Sequence, residues 1–177
     1  PKERAGVEPN QRHRARLQNR GINMFGQLDD APADYFDVAT LFHVFEHFTT
    51  PLATLDSARR CLRPGAKIII EVPNANDILL SDFDLDAFKK FTLWSEHLIL
   101  HTRKTLATMI KSAGFTNVET IGYQRFPLSN HFRWLAEGKP GGHDGWIFRS
   151  SADLDAAYAR HLDQLDRTDT LVAIAQA

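Results

Sequence analysis

Phe36-Asp37-Val38-Ala39-Thr40-Leu41-Phe42-His43-Val44-Phe45-Glu46-His47-Phe48 is the stretch on which the fold turns. Its first seven residues form a nearly continuous apolar run. That pattern predicts a parallel strand buried on both faces. The residues after it are a different material: two histidines and a glutamate among aromatics. A second strand is predicted downstream at Lys67 to Val72, where three isoleucines precede Glu71 and Val72. Between the two runs, Thr50-Pro51 starts a helix, with threonine as cap and proline in the first turn. Leu52, Leu55, Ala58 and Leu62 follow at helical spacing, and Arg63-Pro64-Gly65 is expected to end the helix.

The same alternation continues outward. Arg4 to Val7 reads as a short strand, followed by a polar helix from Gln11 to Arg20 with Ala15 and Leu17 inward and Gly21 as its stop. Ile22 to Phe25 is a short strand and Asp29 to Asp34 a loop. Thr102 caps a helix carrying Leu106, Met109, Ile110 and Ala113, with Gly114 after it. Val118 to Tyr123 is a strand. Ser150-x-x-Asp153 has the spacing of a capping box, opening a helix with Leu154, Ala157, Tyr158, Leu162 and Leu165 inward. Leu171 to Ala175 is a last strand. The alternation predicts an α/β fold, a three-layer α/β/α sandwich around a mostly parallel sheet. Residues 1–177 are read as one domain. Segments at about 74–100 and 124–148 read as lids or insertions, the first as irregular chain and the second with a short amphipathic helix around His131 to Ala136. Their aromatic residues, from Phe83 and Trp94 to Trp134 and Trp146, suit either a substrate cover or ordinary packing.

Composition narrows the function. The 177 residues are 43% hydrophobic and 24% charged, with a net charge of −1. No strong field recruits nucleic acid or an anionic membrane, so neither is expected as a partner. The basic cluster Arg12, Arg14, Arg16 and Arg20 reads as a solvated helix face. Cys61 is the single cysteine, which excludes an intrachain disulfide, and its apolar setting predicts a buried, unreactive thiol. A cytoplasmic protein is the expectation.

In open parallel sheets, ligands bind at the carboxyl ends of the strands. Glu8 stands at such an end, where a carboxylate accepts the ribose hydroxyls of an adenosine; it reads equally as a solvated residue before Pro9. His43-x-x-Glu46-His47 matches an inverted zinc-peptidase string. That string belongs inside a longer amphipathic helix, and here it follows a strand, so no metal is read.

Four segments together resemble class I S-adenosylmethionine-dependent methyltransferases. Phe36 to Phe48 looks like their fourth-strand motif. Leu62 to Asn74 resembles their leucine–lysine–proline–glycine–glycine motif and fifth strand, with Arg63 and Ala66 substituted. Trp94-x-Glu96-His97-Leu98 followed by Thr102 to Phe115 matches a subgroup pattern, and Gly6-Val7-Glu8-Pro9 resembles the acidic second-strand motif. The resemblance covers about residues 4 to 123. It implies a Rossmann-like fold, S-adenosylmethionine as cofactor, and methyl transfer to a small-molecule acceptor. It implies that Glu8, with Asn10 nearby, binds the ribose, that Leu28 or Asp29 flanks the adenine, and that Phe42 and His43 line the pocket. Glu46 and His47 read as helix-start residues. His97 is the candidate catalytic residue, as a base or hydrogen-bond donor, with lid anchoring as its alternative role.

One departure from the family matters. The glycine-rich first motif, which follows the central first strand in the sheet order 3-2-1-4-5-7-6, has no counterpart in these residues; Gly138 to Gly145 follows no buried strand. The expectation is weak cofactor binding and inactivity for this chain alone. The alternative function is a non-catalytic module that keeps the fold.

Overall fold

The computed structural model describes residues 3–146 and 151–177. Six strands and eight helices alternate among them: β1 (Ala5–Val7), α1 (Gln11–Gln18), β2 (Asn23–Phe25), β3 (Phe36–Phe42), α2 (Pro51–Cys61), β4 (Leu62–Pro73), α3 (Ile78–Ser81), α4 (Asp86–Thr92), α5 (Arg103–Ser112), β5 (Thr116–Tyr123), α6 (Leu128–Glu137), α7 (Gly142–Gly145), α8 (Ala152–Leu165) and β6 (Thr170–Gln176). None of the helices is long and apolar enough to cross a membrane.

The strands form two sheets. β1 and β2 pair in parallel, and the larger sheet has the order β3-β4-β6-β5. β3, β4 and β5 run one way and β6 runs against them. These orders are the 3-2 and 4-5-7-6 halves of the family arrangement, and no described strand joins β1 to β3. The two halves are tied instead through the turn at Leu28–Asp30. The Asp29 carboxylate accepts from Ser57 Oγ at 2.9 Å, and Arg60 of α2 donates to the carbonyls of Leu28 and Ala31.

β4 is the hydrophobic spine. Successive side chains of a strand point to opposite faces, and alternate residues Ile68, Ile70 and Val72 are fully buried. They meet Leu171, Ala173 and Ala175 of β6, together with Leu55 and Ala58 of α2 and Leu106 and Ile110 of α5. The opposite face of the sheet is open: Val38, Phe42, Ile121 and Tyr123 are 51%, 52%, 43% and 51% exposed. β3 therefore occupies its expected residues without being buried on both faces. Among the described residues it is an edge strand paired only with β4, and its outer side chains Val38 and Phe42 are exposed.

Local signals account for most element boundaries, with several corrections. Thr102 caps α5 by accepting from Thr105 N–H, and the Thr105 hydroxyl accepts in return from Thr102 N–H. Gly114 follows α5 with φ +83°, a left-handed conformation that glycine adopts without strain. Asn10, not an acidic residue, caps α1. Ala15 is exposed, and Leu17 is only half-buried, because α1 packs on the narrow two-stranded sheet. Thr50 precedes α2 without a side-chain cap, and Leu52 is exposed. The helix ends at Cys61, and Leu62 already belongs to β4, so Arg63-Pro64-Gly65 lies in the strand. The 74–100 segment is not irregular throughout: Asp77 opens α3, and α4 follows. In the last helix the Ser150 cap lies outside the described residues, and Ser151 accepts from Leu154 N–H. Leu154 and Leu165 are exposed, while Leu162 is buried.

Asp77 couples the fold to pH. Its carboxylate accepts from Leu79 N–H at 2.7 Å, yet it is buried, and burial raises its pKa from the ordinary 3.8 to about 8. Between those limits the folded chain holds a proton that the unfolded chain has released, so stability falls as pH rises through that window.

Two stability measurements check these assignments. Ile70→Ala removes a fully buried side chain and is expected to cost about 2–5 kcal/mol by urea denaturation. Val38→Thr on the open face should change stability by less than about 0.5 kcal/mol. Asp77→Asn keeps the capping oxygen and removes the titration. Its thermal midpoint should exceed that of the unchanged chain by a margin that grows from pH 4 to pH 8, each ~1 kcal/mol appearing as ~2–4 °C. A constant margin across that range would contradict the buried, protonated carboxyl.

Candidate functional site

The carboxyl end of β4 and the amino end of β6 open into a cavity of about 320 Å³. Its roof comes from the two segments between the strands. Phe88 and Phe91 of α4 and Trp134 of α6 supply aromatic lining; Phe88 and Trp134 meet edge to face at 5.1 Å between centroids. His43, Arg125 and Asn130 supply polar groups to the same lining.

His43 follows β3 directly in a left-handed conformation, φ +50°. Its Nε2 lies 2.8 Å from Glu71 Oε1 and 2.7 Å from an Arg125 guanidinium nitrogen. The Glu46 carboxylate on the Nδ1 side pushes its pKa up, against burial and the Arg125 charge. Arg125 is aimed by the backbone: the Asp169 carboxylate accepts from the N–H groups of Arg125 at 2.9 Å and Phe126 at 3.0 Å. Burial raises the Asp169 pKa in spite of those bonds.

A second polar layer backs the cavity. Asp169 N–H donates to Gln124 Oε1, which fixes that amide's orientation and turns its Nε2 toward His131 Nε2 at 3.3 Å. Burial lowers the His131 pKa to about 4, so the ring is neutral at pH 7. With Nε2 accepting, its proton sits on Nδ1, 2.7 Å from the Tyr158 hydroxyl. Burial pushes that hydroxyl's pKa up to about 12. The cavity wall therefore carries the neutral His131, backed by Tyr158, together with His43 and Arg125, and Glu71 is bonded to His43.

Of the sequence-derived candidates, the structure brings His43 and His97 to this cavity. His97 Nδ1 is 2.7 Å from the Thr92 carbonyl at the end of α4, so the ring both anchors the α4 segment and reaches the cavity wall. Phe42 is half-exposed on the open sheet face. Glu8, Asn10, Leu28 and Asp29 lie at the ends of β1 and β2 and do not line the cavity. Glu8 Oε1 accepts from Asn10 N–H at 2.8 Å, and Asn10 caps α1, so both are engaged in the turn. Asp29 is bonded to Ser57.

Glu46 and His47 do not start α2. They lie in a 3-10 turn, Phe45–His47, and the Glu46 side chain caps nothing. The sequence alone assigned no site role to Glu71, Arg125 or Asp169, and His131 and Tyr158 entered only as helix residues. The single local hint was position: Glu71 and Arg125 stand at or just after strand ends. The partnership of Asp169 with residues 124–126 spans more than forty positions and leaves no local signature.

The fold can be set beside known proteins. A family model described as a methyltransferase domain matches residues 2–120. No curated protein matches the chain by sequence. Among solved structures, an S-adenosylmethionine-dependent methyltransferase from Archaeoglobus fulgidus superposes with a TM-score of 0.62 at 17% identity, covering 98% of this chain and 75% of the other. One from Thermotoga maritima, described as a possible histamine N-methyltransferase, gives 0.64 at 17% identity over 98% and 72%. A complex of the Haloferax volcanii Trm112 methyltransferase activator with a methyltransferase gives 0.63 at 14% identity over 99% and 71%. With two thirds of its length matched by the family model and a Rossmann-like α/β architecture throughout, the chain belongs to the methyltransferase-domain family.

Proposed function

We propose that this domain transfers a methyl group from S-adenosylmethionine to a small-molecule acceptor held in the cavity above β4 and β6. The observation that carries the reading is that cavity's mixed lining of aromatic and polar side chains. Phe88, Phe91 and Trp134 suit an apolar body, and His43, Arg125 and Asn130 suit a polar end. Residues 74–100 and 124–146 act as its cover.

The residues present fit the adenosine end of the cofactor. Glu8 would accept the ribose hydroxyls through the oxygen not bound to Asn10 N–H. Leu28 and Asp29 would flank the adenine, and Phe42 and His43 would close the pocket. When bound, the cofactor supplies a methyl group on a sulfonium, ready for displacement. The protein's part is then mostly alignment. The aromatic wall excludes water, and Arg125, held by Asp169, orients the acceptor's polar end. His43, paired with Glu71, contributes a further polar group at that end.

The unpaired edges of β1 and β3 support weak cofactor binding by these 177 residues alone. The same edges favour the second reading, a non-catalytic module that keeps the fold and binds a partner.

Titration of the chain with S-adenosylmethionine by calorimetry and NMR tests both. Weak binding, in the high micromolar range or above, is expected, and tight binding by a monomer would overturn the role given to the open edges. Glu8→Gln should weaken binding by about 1.5–3 kcal/mol, roughly ten- to over a hundredfold. Equal affinity of the two proteins would remove Glu8 from the site. Complete absence of shifts at the ends of β1 and β3 would favour the non-catalytic module.

A further inference from the structure

The methyl-transfer reading leaves one cluster unused. The segment Trp94–Leu98 is strapped onto the turn Phe45–His47: Leu98 N–H and Ile99 N–H donate to the Glu46 carbonyl at 2.9 and 3.2 Å. The strap sets the His97 ring beside that of His47, 5.1 Å between centroids. One nitrogen from each histidine and one oxygen of Glu46 lie within 4.8 Å of one another.

The two rings are fixed in the same way. His47 Nδ1 is 2.6 Å from the Glu96 carbonyl, and His97 Nδ1 is 2.7 Å from the Thr92 carbonyl. A carbonyl only accepts, so each Nδ1 carries the proton. Each neutral ring then keeps its lone pair on Nε2. This is the arrangement by which backbone carbonyls orient metal-binding histidines.

Glu46 is an independent observation. Its side chain is 1% exposed, and neither carboxylate oxygen has a hydrogen-bond partner. The closest nitrogens are His43 Nδ1 at 3.6 Å and His47 Nε2 at 3.9 Å, too far for a hydrogen bond. Buried carboxylates without hydrogen bonds are paired with a charge or coordinate a metal.

We propose that Glu46, His47 and His97 bind one divalent first-row transition-metal ion, with its remaining coordination positions toward the cavity that His97 lines. Two imidazole nitrogens and a carboxylate oxygen suit Zn²⁺ and its neighbours, and three protein ligands leave the open position of a reactive site. Bonds of about 2.1 Å place ligand atoms roughly 3.4 Å apart, a contraction within reach of side-chain rotation. Only Glu46 and His47 of the inverted zinc-peptidase string take part, since His43 is engaged by Glu71 and Arg125, and the third ligand comes from a segment fifty residues on.

The test reads metal content and needs no methyl transfer. The full chain is stripped with a chelator, dialysed and titrated with Zn²⁺ against a chromogenic competitor, and separately with Co²⁺ by visible absorption. One equivalent should bind at micromolar concentration or tighter, and Co²⁺ should give the absorption of a low-coordinate protein site. His47→Ala and His97→Ala should each weaken Zn²⁺ binding at least tenfold, with circular dichroism reporting that the fold persists. Glu46→Gln should weaken it as well, and His13→Ala, on the distant α1, should not. Binding absent up to millimolar Zn²⁺, or unchanged in both histidine variants, would overturn the proposal.

Discussion

Every feature of the larger half depends on the pairing of β4 on both its edges. β3 lies parallel along one side and β6 antiparallel along the other. A strand hydrogen-bonded on both sides has all its backbone groups satisfied, so β4 is free to bury alternate side chains at zero exposure. The same register fixes the site. Phe42 stands opposite Glu71, and the next residue, His43, donates its N–H to the Glu71 carbonyl while its ring reaches the Glu71 carboxylate. Asn74, just past β4, accepts the backbone N–H of Asn76 and donates to the Thr168 carbonyl, tying the start of the cover to the approach of β6.

The antiparallel β6 has a second consequence. Its chain enters the sheet at the end where β3 and β4 finish, so Thr168 and Asp169 arrive beside the cavity. Asp169 then organises Gln124, Arg125 and Phe126 as they leave β5. A sheet of strands running one way would bring only carboxyl ends to this place. The reversed strand adds an amino end and, with it, a half-buried carboxylate.

The small half is held differently. β1 and β2 have three residues each and no backbone pairing to β3. Their attachment runs through side chains, chiefly Ser57 and Arg60 of α2 to the Leu28–Asp30 turn. Exposed side-chain bonds of this kind contribute less than a shared ladder of backbone bonds over a buried face. The cavity and its polar layers therefore belong to the well-packed half, whereas the residues assigned to the cofactor's adenosine lie on the lightly held one.

The amino-acid sequence by itself determined the elements. β3 spans the apolar run Phe36 to Phe42, β4 contains the isoleucine run, and α5 starts at Thr102 and stops at Gly114. Hydrophobic period, capping and left-handed glycines act over a few residues, so they are written locally. Strand order and the family followed from four such segments taken together. Tertiary structure alone decided which polar groups meet. Glu46 and His97 are brought together by packing the Trp94 segment on a turn fifty residues earlier. His131, Tyr158 and Asp169 converge from two helices and the approach to a strand. Local pattern also misjudged β3, whose apolar residues read as buried on both faces, because a strand's burial depends on its neighbours in the sheet and they are chosen by topology.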